Sequence, residues 1–334
     1  MLKKYAFVLL YLIVALPLLA QNLQMLTSPR LLLSYSHLGN QKYDSNANTF
    51  GLGQSSLALN LPLYHSNYTK SEYGLKRFMY IGFQPSLVLS SANFENTAID
   101  RKLINFSLGF NGIYFSGIKN LYLLSLRPML NEDEYTINNP IWRYNASFMY
   151  SRMVNTKFKY RIGLTYTYLF GEGNLLPIVG GTYRFNQKNI LLVNLPYNIT
   201  YRHVINSNLT AGLFLKPNGS MNRFMNRNYF DSSYNTILFR RTSYLLGANI
   251  IYKISPKFRL MADLAISSKQ QLRFTQDAER DGKSYYEASV KPTYCLSLKL
   301  LWMPFAAPQA KKNANTEKEN EAEEYLNDDN FLSF

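Results

Sequence analysis

Eight cationic side chains, Arg127, Arg143, Arg161, Arg184, Arg202, Arg241, Arg259 and Lys299, share one property of spacing. Each falls at the polar parity of a run whose other parity is apolar. In an extended chain successive side chains point to opposite faces, so residues of one parity lie on one face. Cations gathered on the inner face of a closed wall raise the local potential and favour anions there. These eight are therefore the predicted lining of a basic lumen, with Asp263 as the clearest acid of the same parity.

Catalytic chemistry finds less support. A histidine two residues before a serine would set base and nucleophile side by side on one strand face. The three histidines, His37, His65 and His203, do not provide that spacing. Ser36 and Ser66 are immediate neighbours of His37 and His65, so they point the other way, and Ser207 follows His203 by four residues across a turn. The acidic run Glu132-Asp133-Glu134 resembles a solvated loop tip more than a cation site, which needs spaced ligands and a turn glycine. Gly171-x-Gly173 lacks a phosphate-cradling context and reads as a turn. Cys295, the one cysteine, fits no disulfide framework or zinc motif and has the parity of a small packing residue. No enzyme, cofactor or metal site is expected.

The elements that hold the eight cations are two-faced strands. In Phe158–Phe170 the apolar face is Tyr160, Ile162, Leu164, Tyr166, Tyr168 and Phe170, opposed by Lys159, Arg161, Gly163, Thr165 and Thr167. After Gly171–Asn174 the alternation resumes to Phe185. Aromatics at both ends of an apolar face, with a polar face opposite, are the signature of a transmembrane barrel. The chain divides into fourteen such strands between Pro29 and Trp302, with twelve as the alternative. They include Ile190–Leu195 and Tyr197–His203, broken at Pro196 because proline cannot donate to a strand ladder. Others are Leu209–Lys216, Thr236–Tyr252, Lys257–Lys269 and Ala288–Trp302.

Connection lengths support this division. Short breaks at Gly117–Asn120, Val154–Lys157, Asn186–Asn189, Ile205–Asn208 and Lys253–Pro256 alternate with longer polar ones. Short inner turns, long outer loops and an even strand count belong together in bacterial barrels. The weak points are the Pro196 hairpin and the longish inner connection His65–Leu75. Among the long breaks, Pro217–Asn235 and Gln270–Glu287 read as outside loops. Arg223 and Arg227 in the first are placed to contact lipopolysaccharide phosphates, whose geometry suits a guanidinium.

Composition agrees with an all-β membrane protein. Of 334 residues, 27 are Tyr and 21 Phe, while mean hydropathy is only −0.20. Rings with a polar tip suit a lipid interface. Residues 1–20 read as a cleaved signal peptide: Lys3-Lys4, the apolar Tyr5–Leu16, then Pro17 and Ala20. Residues 306–334, with three lysines against seven acids, read as a disordered periplasmic tail that offers Tyr325, Leu326, Phe331 and Phe334 to a partner. Setting aside the leader lysines and the tail's balance of −4 from the total of +15 leaves +17 on residues 21–305. Those cations are scattered one per strand without a recognition motif, which excludes nucleic acid as the expected partner.

The run Pro177-Ile178-Val179-Gly180-Gly181-Thr182-Tyr183-Arg184-Phe185-Asn186, followed by Asn194-Leu195-Pro196, resembles an uncharacterised family of bacterial outer-membrane β-barrels, a domain of unknown function. The resemblance implies the barrel and its location and supplies no site. The expectation is a passive channel or binding pore for small anionic or polar solutes. The alternative is a non-conducting accessory barrel that binds a partner, with a barrel hydrolase third.

Overall fold

The computed structural model describes residues 29–42, 49–66, 70–71, 74–75, 77–94, 100–117, 119–226, 235–276 and 284–304. The leader (1–20), the tail (306–334) and Arg227 lie outside the described residues. The strands in chain order begin with β1 (Arg30–Lys42), β2 (Thr49–His65), β3 (Lys70–Ser71), β4 (Gly74–Leu75) and β5 (Arg77–Phe94). There follow β6 (Arg101–Ser116), β7 (Asn120–Asp133), β8 (Arg143–Met153), β9 (Phe158–Thr167) and β10 (Asn174–Arg184). Next come β11 (Asn189–Leu195), β12 (Asn198–Val204), β13 (Leu209–Pro217), β14 (Ser220–Met225) and β15 (Thr236–Thr242). The last are β16 (Tyr244–Ser255), β17 (Phe258–Ser267), β18 (Gln270–Gln276), β19 (Ser284–Val290) and β20 (Tyr294–Trp302).

Fourteen of these form a closed antiparallel barrel. The order is β1, β2, β5 through β13, β16, β17 and β20, and β20 returns to β1 in a register running from Leu31 opposite Trp302 to Leu38 opposite Cys295. Closure leaves no edge, so every wall strand has two partners. The predicted count of fourteen therefore holds, and so does the break at Pro196. Leu195–Pro196 is a cis peptide in a tight turn, with Tyr197 N donating to Asn194 O at 2.7 Å.

The outward face is bare hydrocarbon. Leu175, Leu246 and Ile266 are 68%, 64% and 64% exposed, and Ile162, Leu164, Leu213 and Leu264 behave alike. A closed wall that shows aliphatic side chains all round is built to face lipid. Tyr114, Tyr122, Tyr150 and Tyr160 form an aromatic girdle across four strands, with successive centroids 6.1, 5.2 and 6.2 Å apart. On β9 and its extension, Tyr160 and Tyr168 are eight residues apart, about 26 Å of strand, so the rings bracket an apolar band.

One end carries short turns of a common design. Asn155 Oδ1 accepts from the backbone N–H of Lys157 and Phe158; Asn186 does so for Lys188 and Asn189, and Asn206 for Asn208 and Leu209. Ser255 Oγ takes the same place for Lys257 and Phe258. An Asx or Ser residue that holds the amides two and three residues on is a turn written in sequence. We call this the turn end and the opposite end the loop end.

At the loop end the structure departs from the sequence reading. The segments expected as outside loops, Pro217–Asn235 and Gln270–Glu287, contain strands, and the expected long strands Thr236–Tyr252 and Ala288–Trp302 are each two strands. The breaks fall at Asn218–Gly219, Ser243, Ser268–Lys269 and Lys291–Thr293. Gly219 passes so close to Leu169 O that a Cβ there would collide with it. Beyond these breaks β14, β15, β18 and β19 pair in that order as a four-stranded insert. Directly opposed residues share a face, so Phe224 and Ile237 lie together, as do Phe239 and Phe274. That face packs on Leu38, Phe50, Leu52, Phe94 and Leu103 of the barrel's inner wall. Phe94–Phe239 and Phe239–Phe274 centroids are 5.6 and 5.0 Å apart. The largest apolar core among the described residues thus lies inside the barrel, where the insert meets β1, β2, β5 and β6.

Candidate functional site: the inner surface

Inward parity places Lys159 and Arg161 on β9, Arg184 on β10, Arg202 on β12, and Lys253 and Arg259 on β16 and β17, all near the turn end. They are aligned by register. Arg184 stands opposite Ile190, which stands opposite Arg202, so two guanidinium-bearing positions flank one strand. At about 4.8 Å per strand their backbones are about 10 Å apart. Lys253 and Arg259 are directly opposed. Arg161 is 3% exposed and its Nη2 donates to Thr182 Oγ1 at 3.1 Å. Among the described residues, the acid nearest this ring is Asp263, halfway along β17; the others (Asp100, Glu132, Asp133, Glu134, Glu172 and Glu287) belong to the loop end or the insert. The sequence reading put Lys159 on the polar face of its strand but left it out of the predicted lining, and it read Lys253 as the first residue of a turn.

The loop end holds its charges in pairs. Glu132 and Asp133 are fully buried, which corrects the reading of this run as a solvated loop tip. The reason is the insert, which covers them. Glu132 lies 3.3 Å from Arg223 and 3.9 Å from Arg143 and accepts from Ile141 N at 3.0 Å. Asp133 lies 3.5 Å from Arg101, and accepts from Tyr135 N and Thr136 N at 3.0 and 2.7 Å and from Met225 N at 2.9 Å. Arg223 is therefore no lipopolysaccharide contact: it is 4% exposed on β14 and its Nη2 donates to Asn139 O at 2.8 Å. On the same face of the insert Arg240 pairs with Glu172 at 2.7 Å.

The remaining predicted lining residues take other places. Arg127 points inward from β7 and donates to Gln84 Oε1 at 2.9 Å. Arg241 belongs to the insert rather than to a wall strand, and its Nη groups reach Gln270 and Asn218 at 3.4 and 3.2 Å. Lys299 binds Asp263 at 2.8 Å, and Lys216 approaches the same oxygen at 3.7 Å. Arg241, Lys216, Asp263 and Lys299, with Cys295, share an internal cavity of about 180 Å³. His37 and His203 are exposed on the outer face, and His203 Nδ1 is 2.7 Å from Asn189 Oδ1. No group of His, Cys, Asp or Glu among the described residues has the arrangement of a metal site.

No family model and no curated protein matches the chain. Similar solved structures include an outer-membrane channel from Pseudomonas putida F1, at 8% identity and a TM-score of 0.42, covering 83% of this chain and 95% of that one. The translocator domain of the autotransporter NalP from Neisseria meningitidis gives 10%, 0.37, 90% and 96% in the same order. The Pseudomonas putida toluene transporter TodX gives 8%, 0.31, 87% and 92%. At these scores the likeness carries no function, and no family model matches the Pro177–Asn186 run. The closed barrel stands on its own strand register.

Proposed function

We propose that the chain is an outer-membrane β-barrel whose lumen admits small anionic or polar solutes from the turn end, with the insert occluding the loop end. The observation that carries this reading is the segregation of charge on the inner wall. Six cations, Lys159, Arg161, Arg184, Arg202, Lys253 and Arg259, gather near one mouth, while the described acids sit halfway up or beyond. Directly opposed like charges cost stability, so a wall that keeps Lys253 against Arg259 gains something else from them. In a low-dielectric channel such a ring concentrates anions. By the usual orientation of bacterial barrels the short turns face the periplasm, so the basic mouth opens inward. Lipid and lipopolysaccharide are the surroundings of such a barrel.

Conductance of the purified protein in planar bilayers under a salt gradient tests the proposal. The expected current prefers anions, and R184Q/R202Q moves the reversal potential toward zero. Cation preference would overturn the reading. The aromatic packing of the insert favours a second reading, a non-conducting accessory barrel that holds a partner through the acidic tail. Silent bilayers, together with a protein that co-purifies only when residues 306–334 are present, would establish it.

A further inference from the structure

The cavity between the insert and the wall has a composition that the anion-attracting ring does not require. Its polar side holds three cations, Arg241, Lys216 and Lys299, against one carboxylate, Asp263. Its other side is apolar, formed by Leu38, Leu52, Phe214, Leu245 and Ala265. Arg241 is 2% exposed, and after its bonds to Gln270 and Asn218 its Nε–H has no hydrogen-bond partner. Lys216 Nζ lies 4.8 Å from the Phe214 ring centroid, so the two sides of the cavity meet at that lysine. Asp263 already serves both lysines through one oxygen.

Charge removed from water is costly unless it is matched by an opposite charge and hydrogen bonds. Here three buried or half-buried cations line one cavity with a single carboxylate, which pairs with the two lysines and not with Arg241. A second carboxylate would complete the set, because a guanidinium offers it paired N–H donors. The apolar wall beside it excludes a bare, fully hydrated anion as the best fit. The volume, about 180 Å³, is a little larger than that of a cavity known to hold a six-carbon ring. We propose that this cavity is a binding site for a small organic carboxylate with a short apolar body, its carboxylate between Arg241 and Lys216 and its body against Phe214 and Leu245. The site stands whether or not ions flow through the barrel.

The test uses full-length protein in detergent, with labelled hexanoate as the probe in equilibrium dialysis. Hexanoate is expected to bind, while hexanol, hexylammonium and inorganic phosphate in excess fail to displace it. D263N, which frees Lys216 and Lys299 from their present partner, is expected to tighten binding several-fold, and K216M to weaken it about tenfold. Cys295, the chain's one cysteine, locates the site: hexanoate is expected to slow its modification by a thiol reagent, and an anionic reagent to react about tenfold faster than a cationic one of equal size. Binding that is absent, or that neither D263N nor K216M changes in barrels verified as folded, would overturn the proposal. Displacement by phosphate as strong as by unlabelled hexanoate would also overturn it, in favour of an inorganic anion. Binding without bilayer current would remove the conduction reading and leave this one, and current without binding would do the reverse.

Discussion

The two ends of this lumen treat charge in opposite ways. At the loop end Glu132 and Asp133 are wholly enclosed, and Arg101, Arg143 and Arg223 converge on them from β6, β8 and the insert. At the turn end the cations stand on neighbouring rungs of the wall, and two of them, Lys253 and Arg259, directly face each other. Arg101–Asp133 and Arg143–Glu132 tie neighbouring wall strands and Arg223–Glu132 ties the insert to the wall, so their work is structural. The cations at the turn end sit on the wall itself, where Arg161 meets Thr182 of the next strand, and the proposed function rests on their shared sign. The difference teaches that position along the barrel, more than residue type, decides what an inward arginine does here.

That contrast can be broken from either side. The largest effect is expected from Glu132→Ala, which leaves Arg223 and Arg143 buried without their carboxylate. Losing one partner of a buried ion pair costs about 3–5 kcal/mol. A lower denaturant midpoint, with new protease cleavage in the insert, is the expected readout; an unchanged midpoint would show that the pairs fix nothing. Phe239→Ala should cost a similar or slightly smaller amount, about 3–4 kcal/mol for a large ring removed from a packed core. If the insert occludes the mouth, the same variant should raise bilayer conductance, and an unchanged current would place the constriction elsewhere.

On the other side, R184Q/R202Q should leave the midpoint closer to wild type than Glu132→Ala does, and should act on ion selectivity instead. Raising ionic strength toward 1 M, where the screening length is about 3 Å, should erase the same selectivity without a mutation. Lys253→Gln removes one member of an opposed like-charge pair and should be neutral or stabilising by up to about 1 kcal/mol. A clear loss of stability in that variant would show that the lysine is held by attraction. Asn206→Ala at a turn should lower stability, read from the denaturant midpoint, by only roughly a few tenths of a kcal/mol, because its two exposed amides are left to water.

How much of this was legible depends on contrast. Alternation in β6, β8, β9, β10, β17 and β20 is plain because hydrocarbon lies on one side of each strand and polar groups on the other, so every second residue reports a different solvent. The Asn and Ser turns are legible because two amides are held within three residues of the side chain that holds them. Pro196 marks its own break. The insert offers no such contrast. Ile237, Leu238, Phe239, Arg240 and Arg241 are all buried, since one face meets the inner wall and the other meets charged groups from β7 and the β9–β10 connection. A strand enclosed on both faces has no period of two to read. It therefore merged with its wall strand, and its neighbours passed for polar loops.

By itself the sequence pointed to a wall of fourteen strands, with twelve as the alternative, and to its lipid face, its turns and the inward parity of its cations, because alternation and turn residues are set by side chains within a few residues of one another. Only the tertiary structure decided which of those cations are spent on pairing. Arg223 meets Glu132, and Asn222 meets Asn105 117 residues away, through a chain that turns back into its own barrel. The carboxylate that silences a given arginine arrives from elsewhere in the fold, and no local pattern records its approach.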